Sequence, residues 1–220
     1  MCGRYTIIEI DVKEFKKRYG VTKVPDNLRS NYNVTPQQNV LAILNETPKE
    51  LSLVHWGLIP SWAKEINTKY SMINARAETI TEKPAYRGII KRKRCLIVAD
   101  SFYEWKKVEG AKHPHRILMK DEGLFSFAGV WDHWECDGNE VNSCSIITTA
   151  PNAMMQNIHD RMPVILDQDH EQEWLSDINI DRVVELLKPY NEKNMKAYEV
   201  SRSVNSPSNN DPSVLEAISN

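Results

Sequence analysis

Most apolar runs along this chain are short and end in turn-forming residues, which predicts strands more often than helices. Residues 41–44 and 51–59 flank a polar segment, 45–50, as the two arms of a β-hairpin do. Further strands are predicted at 95–102, 115–119, 125–130 and 143–149. The Asp137-Gly138-Asn139 turn joins the last of these to a strand near Trp134. Helical spacing is confined to short stretches. Residues 11–19 place Val12, Phe15 and Tyr19 on one face, and helices are also predicted at 85–91, 153–158, 169–175 and 181–188, the last stopped by Pro189. The pattern predicts an α+β fold, a β-rich single domain of mainly antiparallel strands, barrel-like or built as two packed sheets, with short peripheral helices.

Composition narrows the class. At 220 residues the chain forms one domain or at most two, with 41% hydrophobic and 26% charged residues. No apolar run approaches the roughly 18 residues that span a bilayer. The charged first segment (Asp11, Lys13, Glu14, Lys16, Lys17, Arg18) lacks the apolar core of a signal peptide, so a cytoplasmic, monomeric protein without a membrane partner is expected. Cys2, Cys95, Cys136 and Cys144 show no C-x-x-C spacing and no neighbouring His cluster, which argues against a metal site. A Cys136–Cys144 disulfide is sterically open across the turn but runs against a reducing compartment.

The net charge of −2 conceals an uneven distribution. Residues 60–120 hold 14 Lys/Arg against 6 Asp/Glu, a local +8, and leave 14 against 24 elsewhere. A cationic segment on an acidic chain points to an anionic partner. The run Lys91-Arg92-Lys93-Arg94 reads equally well as a solvated element end before a buried strand.

Candidate chemistry begins at Met1-Cys2-Gly3-Arg4-Tyr5. Removal of Met1 would leave a cysteine with a thiol and a free α-amine on adjacent carbons. Their reference pKa values, about 8.5 and about 7.7–8.0, leave a useful fraction of each unprotonated near neutrality. The amine can form an imine with an aldehyde and the thiol can close a thiazolidine ring; alternatively the thiol attacks an acyl carbon with the amine as base. A cysteine in a frayed terminus would look the same.

Three further stretches set polar residues in apolar surroundings: Asn74-Ala75-Arg76-Ala77-Glu78, Phe102-Tyr103-Glu104-Trp105 and His159-Asp160-Arg161-Met162-Pro163. Glu104 between two aromatic residues would be desolvated and its pKa raised, which suits a general acid or base, although on an alternating strand it could equally face solvent. His159, Arg76 and Arg161 each have ordinary structural readings as well.

Taken together, these four stretches resemble the SRAP family of abasic-site processing proteins. The resemblance extends through Asn33-Val34-Thr35-Pro36, His55-Trp56-Gly57-Leu58-Ile59-Pro60-Ser61-Trp62, Phe127-Ala128-Gly129-Val130-Trp131 and Thr148-Thr149-Ala150 to Val200-Ser201 and Val204-Asn205. It implies a lyase-like enzyme without a cofactor whose Cys2 captures the aldehyde of an abasic site in single-stranded DNA as a thiazolidine crosslink, shielding the lesion from strand cleavage. On that pattern Asn74 orients Cys2, Glu104 serves as acid and base, and His159 promotes sugar ring opening and crosslink release. Arg4, Arg76 and Arg161 would contact phosphates, and Trp62 would stack on a base.

The same resemblance implies a domain over 1–205, with 200–205 forming a closing strand, and a looser polar tail over 206–220. Two other classes fit parts of the sequence. One is an N-terminal-cysteine hydrolase, amidotransferase-like or peptidase-like, although Arg4 replaces the aliphatic residue usual in the amidotransferases. The other is a non-catalytic reader of modified single strands, which would need neither Cys2 nor Glu104.

Overall fold

The computed structural model describes residues 2–8, 10–66 and 72–218. Its strands are β1 (Tyr5–Ile7), β2 (Asn31–Val34), β3 (Asn39–Leu44), β4 (Ser52–Trp56), β5 (Asn74–Arg76), β6 (Arg94–Ala99), β7 (Ser101–Val108), β8 (Ala111–Met119), β9 (Phe125–Cys136), β10 (Asn139–Thr149), β11 (Met162–Pro163), β12 (Ile165–Leu166) and β13 (Met195–Glu199). Three short helices, α1 (Val12–Tyr19), α2 (Gln168–Leu175) and α3 (Ile180–Glu185), lie between them.

Tight turns set the pairing. Asp137 and Gly138 both have positive φ (51° and 76°), as a two-residue type I′ hairpin requires, and they put Cys136 opposite Asn139. Glu109 and Gly110 make the same kind of connection between β7 and β8 (φ 50° and 82°). β9 therefore runs well past the predicted 125–130 and pairs with β10 along most of its length.

β3 pairs with β4 and β6, β6 with β9, β9 with β10, and β10 with β4 in parallel, so these five strands close into a barrel. Gly129 lies where β9 is pinched between β6 and β10. A Cβ there would stand 2.7 Å from Cys95 Sγ and 2.9 Å from Ile97 Cδ1. β5 and β11 pair with the end of β10, and β12 pairs with β9. A second, antiparallel sheet has the order β13-β8-β7-β1-β2.

The predicted single strand at 95–102 is two strands in different layers. Asp100 separates β6 of the barrel from β7 of the sheet. It is buried, accepts hydrogen bonds from Thr6 Oγ1 and the Ile8 backbone N–H, and donates its own N–H to Thr6 O. Tyr5 packs the sheet onto the barrel. Its ring meets Trp56 of β4 at 5.3 Å and Phe127 of β9 at 5.6 Å between centroids. Truncating a buried ring of this kind costs about 3–5 kcal/mol.

Helix α1 is capped by Asp11, whose carboxylate accepts from Lys13 N–H, and ends at Gly20 in the left-handed region. Phe15 and Tyr19 are buried as expected, but Val12 is 42% exposed because it lies in the first turn, beyond the edge of the barrel-facing stripe. Residues 85–91 form consecutive turns instead of a helix, and 153–158 tightens to a 3₁₀ turn at Met155–Asn157. The basic run 91–94 splits. Arg94 is buried and donates to the carbonyls of Trp174, Ile90, Lys91 and Ser176, while Lys93 pairs with Asp132 at 2.9 Å. All four cysteines are free thiols.

The closing strand of the sheet is β13, not 200–205. Residues Arg202–Asn205 form a 3₁₀ turn, and the chain beyond them packs on the sheet instead of leaving it. Val200, Val204 and Val214 are buried with Tyr103 in a small second core on the outer face of the sheet. Among the described residues no helix is long and apolar enough to cross a membrane.

Candidate active site

Residues 2–4 lie between sheet and barrel. β1 pairs with β7 at Tyr5–Phe102, and Tyr103 N–H donates to Arg4 O at 3.0 Å, so the register carries Cys2 and Gly3 toward Glu104. Cys2 is buried, with Sγ 3.9 Å from Arg4 O. Burial pushes its thiol pKa well up, and the nearby Glu104 carboxylate pushes it further.

Asn74 comes from β5, held against β10 opposite Ile146. Its Nδ2 donates to the Cys2 carbonyl at 2.9 Å, and its Oδ1 is buried without a hydrogen-bond partner among the described residues. Asn74 thus ties the barrel side of the site to the N-terminal strand.

Glu104 lies on the barrel-facing side of β7 with Phe102 and is 2% exposed. Its carboxyl pKa is raised by burial, and His159 works in the opposite direction. The expected desolvation is present, but its cause differs. Neighbouring side chains on a strand point to opposite faces, so Tyr103 and Trp105 lie with the outer core. There Tyr103 donates to Tyr32 O at 3.0 Å and Trp105 Nε1 donates to Asn205 Oδ1 at 2.7 Å.

His159 follows the 3₁₀ turn and places Nε2 3.8 Å from Glu104 Oε2. Its Nδ1 accepts the Arg161 backbone N–H at 3.0 Å, which in the neutral ring puts the proton on Nε2, facing Glu104. Asp160, 88% exposed, stands 2.9 Å from Nδ1.

The four residues read as catalytic therefore converge, while the four read as DNA contacts divide. Arg4 is half-buried and donates to Asn33 Oδ1 (2.8 Å), Val204 O (2.6 Å) and Asn205 O (3.1 Å), so its fork is occupied by the C-terminal segment. Arg161 makes a bidentate pair with Glu78 (2.6 and 2.9 Å) and also donates to Thr148 O. Arg76, level with Thr148 on the neighbouring strand, is exposed and makes no ion pair or side-chain hydrogen bond among the described residues. Trp62 is 69% exposed on a turn anchored by Ser61 N–H on Asp132 Oδ2 (2.7 Å).

An open cleft of about 1070 Å³ leads to Glu104 and His159. Its wall includes Lys106, Lys107 and Lys112, which the sequence reading did not single out, although all three fall within the +8 segment. Among the described residues no group of three or more His, Cys, Asp or Glu is placed to hold a metal ion.

Residues 1–207 match the family described as SOS response associated peptidase (SRAP), and the chain belongs to that family. It is 46% identical over 224 residues to the abasic site processing protein YoqW of Bacillus subtilis strain 168, covering 99% of this chain and all of that one. It is 32% identical over 265 residues to the abasic site processing protein HMCES of Xenopus tropicalis, covering 99% of this chain and 78% of that one. A crystal structure of a protein from Bacteroides thetaiotaomicron superposes with a TM-score of 0.90 at 32% identity, over 99% of this chain and all of that one.

Proposed function

We propose that this protein captures abasic sites in single-stranded DNA as a covalent thiazolidine on Cys2, after removal of Met1. The observation that carries the reading is the placement of Asn74 and Glu104 beside Cys2, with His159 beside Glu104, from three separate elements. The names of the relatives, abasic site processing proteins, fit the same chemistry.

The Cys2 amine adds to C1′ of the open sugar. The carbinolamine loses its hydroxyl as water to give an imine, and the thiol then adds across the C=N bond, its proton passing to nitrogen. One water is released overall. A buried thiol with a raised pKa is a poor first nucleophile, which favours this order, with the amine acting first. Glu104, whose neutral form is favoured by burial, donates the proton to the departing hydroxyl. Asn74 Oδ1 would accept from the α-amine and aim its lone pair. His159, with Nε2 toward Glu104, assists ring opening of the sugar and, in reverse, release. Arg76 and Trp62 hold the strand by phosphate contact and base stacking.

The test is a denaturing gel. An oligonucleotide treated with uracil-DNA glycosylase should give a heat- and SDS-stable shifted band with the mature protein, and none with Cys2→Ala or Cys2→Ser. Serine keeps the amine but closes no durable ring. A full-strength, borohydride-independent adduct from Cys2→Ser would overturn the thiazolidine. Absence of any adduct from the mature wild type, with Met1 removal verified by intact mass, would leave a non-catalytic reader.

A further inference from the structure

The outer half of the β7–β8 hairpin carries charges that the fold does not use. β1 pairs with β7 only as far as Phe102, and the pairing of β13 with β8 ends at His115. Beyond those points Lys106, Lys107 and Val108 face His113, Lys112 and Ala111, and no third strand joins them among the described residues. A two-stranded ribbon of this kind is marginal by itself. Its sequence weakens it further, because Lys107 and Lys112 are direct cross-strand partners and like charges placed opposite one another are destabilising. None of Lys106, Lys107 and Lys112 makes an ion pair among the described residues.

These three lysines line the same cleft as Glu104 and His159. The acidic residues on its wall are the buried Glu104 and the exposed Asp160. With a strand rise of about 3.4 Å per residue, Lys106 stands about 7 Å beyond Glu104 on the same face of β7, while Lys107 and its cross-strand partner Lys112 share the other face with Trp105, which also lines the cleft. Arg76, Arg161 and Trp62 do not line this cleft.

We propose that the β7–β8 ribbon is a second phosphate-binding limb. Lys106, Lys107 and Lys112 take backbone phosphates of the single strand on one flank of the captured sugar, apart from the contacts made by Arg76. The repulsion between Lys107 and Lys112 is relieved when an anion lies between them. This inference rests on the single-strand reading above, but it concerns affinity and not capture, so undamaged DNA tests it separately.

Binding of undamaged single strands should be measured against salt. Lys107→Ala/Lys112→Ala should flatten the log–log slope by about 1.4, about 0.7 for each lost phosphate contact. Lys107→Arg/Lys112→Arg should restore it. Lys107→Glu turns a like-charged pair into an opposite-charged one, so its melting temperature should equal or exceed that of the wild type while its DNA affinity falls. Shortening the oligonucleotide from one end should weaken the wild type, and that same shortening should cost the double alanine variant little. An unchanged slope in the double variant, with equal losses on shortening either end, overturns the second limb. Failure of the wild type to form an adduct would overturn the capture chemistry and leave these binding measurements standing.

Discussion

Glu104 Oε2 stands 3.8 Å from His159 Nε2, a buried carboxyl and a half-buried imidazole brought together by β7 and by the turn ahead of β11. Each group changes what the other can do: a charged imidazole favours the carboxylate, whereas burial favours the neutral acid.

The first consequence is a pH dependence of stability. Because the folded-state pKa of Glu104 is raised, its contribution is fully favourable below the unfolded value, about 4.3, and is lost as pH rises through the folded value. Glu104→Gln cannot ionise and so escapes that loss. The variant should melt at or above the wild type at pH 8, and the difference should shrink toward pH 4. Thermal melts across that range check this, and a Gln variant less stable than the wild type at pH 8 would sink it.

The second consequence is kinetic. General acid–base help is worth typically about 10²–10⁴-fold, so Glu104→Gln should slow single-turnover adduct formation by a factor in that range with DNA affinity nearly intact. His159→Ala should slow both formation and exchange onto excess competitor abasic strand. Wild-type rates in both variants would leave Cys2 as the sole reactive group.

Asn74→Ala removes the donor to the Cys2 carbonyl, and leaving a buried acceptor unsatisfied costs about 1–3 kcal/mol. Adduct formation should slow by roughly tenfold or more, since about 1.4 kcal/mol is a factor of ten. Affinity for undamaged strands should be unchanged. Equal losses of rate and affinity would instead mean that Asn74 acts through DNA binding.

The two arginines beside Thr148 should separate. Arg76→Ala should flatten the salt dependence of single-strand binding by about 0.7 and leave the melting temperature unchanged, because its side chain is exposed. Arg161→Ala removes a bidentate pair with Glu78 and a donor to Thr148 O, so it should lower the melting temperature. A stable Arg161→Ala protein with a flattened slope would reverse the assignment.

The local parts of this structure were readable from the chain, and the corners were not. The 41–59 hairpin and the Asp137-Gly138 turn were legible because short apolar runs and the turn residues that bound them act within a few residues. The break at Asp100 was not, since residues 95–102 are apolar on either side and only the tertiary bonds from Thr6 and Ile8 define the corner. Cys2, Asn74, Glu104 and His159 were visible as motifs, but the desolvation of Glu104 was credited to the wrong neighbours, because strand alternation sends Tyr103 and Trp105 to the other face. The hydrogen bonds of Arg4 were hidden for a related reason: its partners Val204 and Asn205 lie about 200 residues away.

That last separation has a bearing on biosynthesis. The strand that presents Cys2 is clamped through Arg4 and Asn33 by carbonyls of Val204, Asn205, Ser206 and Asn209, so the segment around Cys2 waits for residues about 200 positions further on before its surroundings are complete. Pairings so distant in sequence form late in folding. A nascent chain whose residues 204–209 had not yet left the ribosome would hold Cys2 in an unfinished setting, so the candidate site is complete only once that segment has folded onto the sheet.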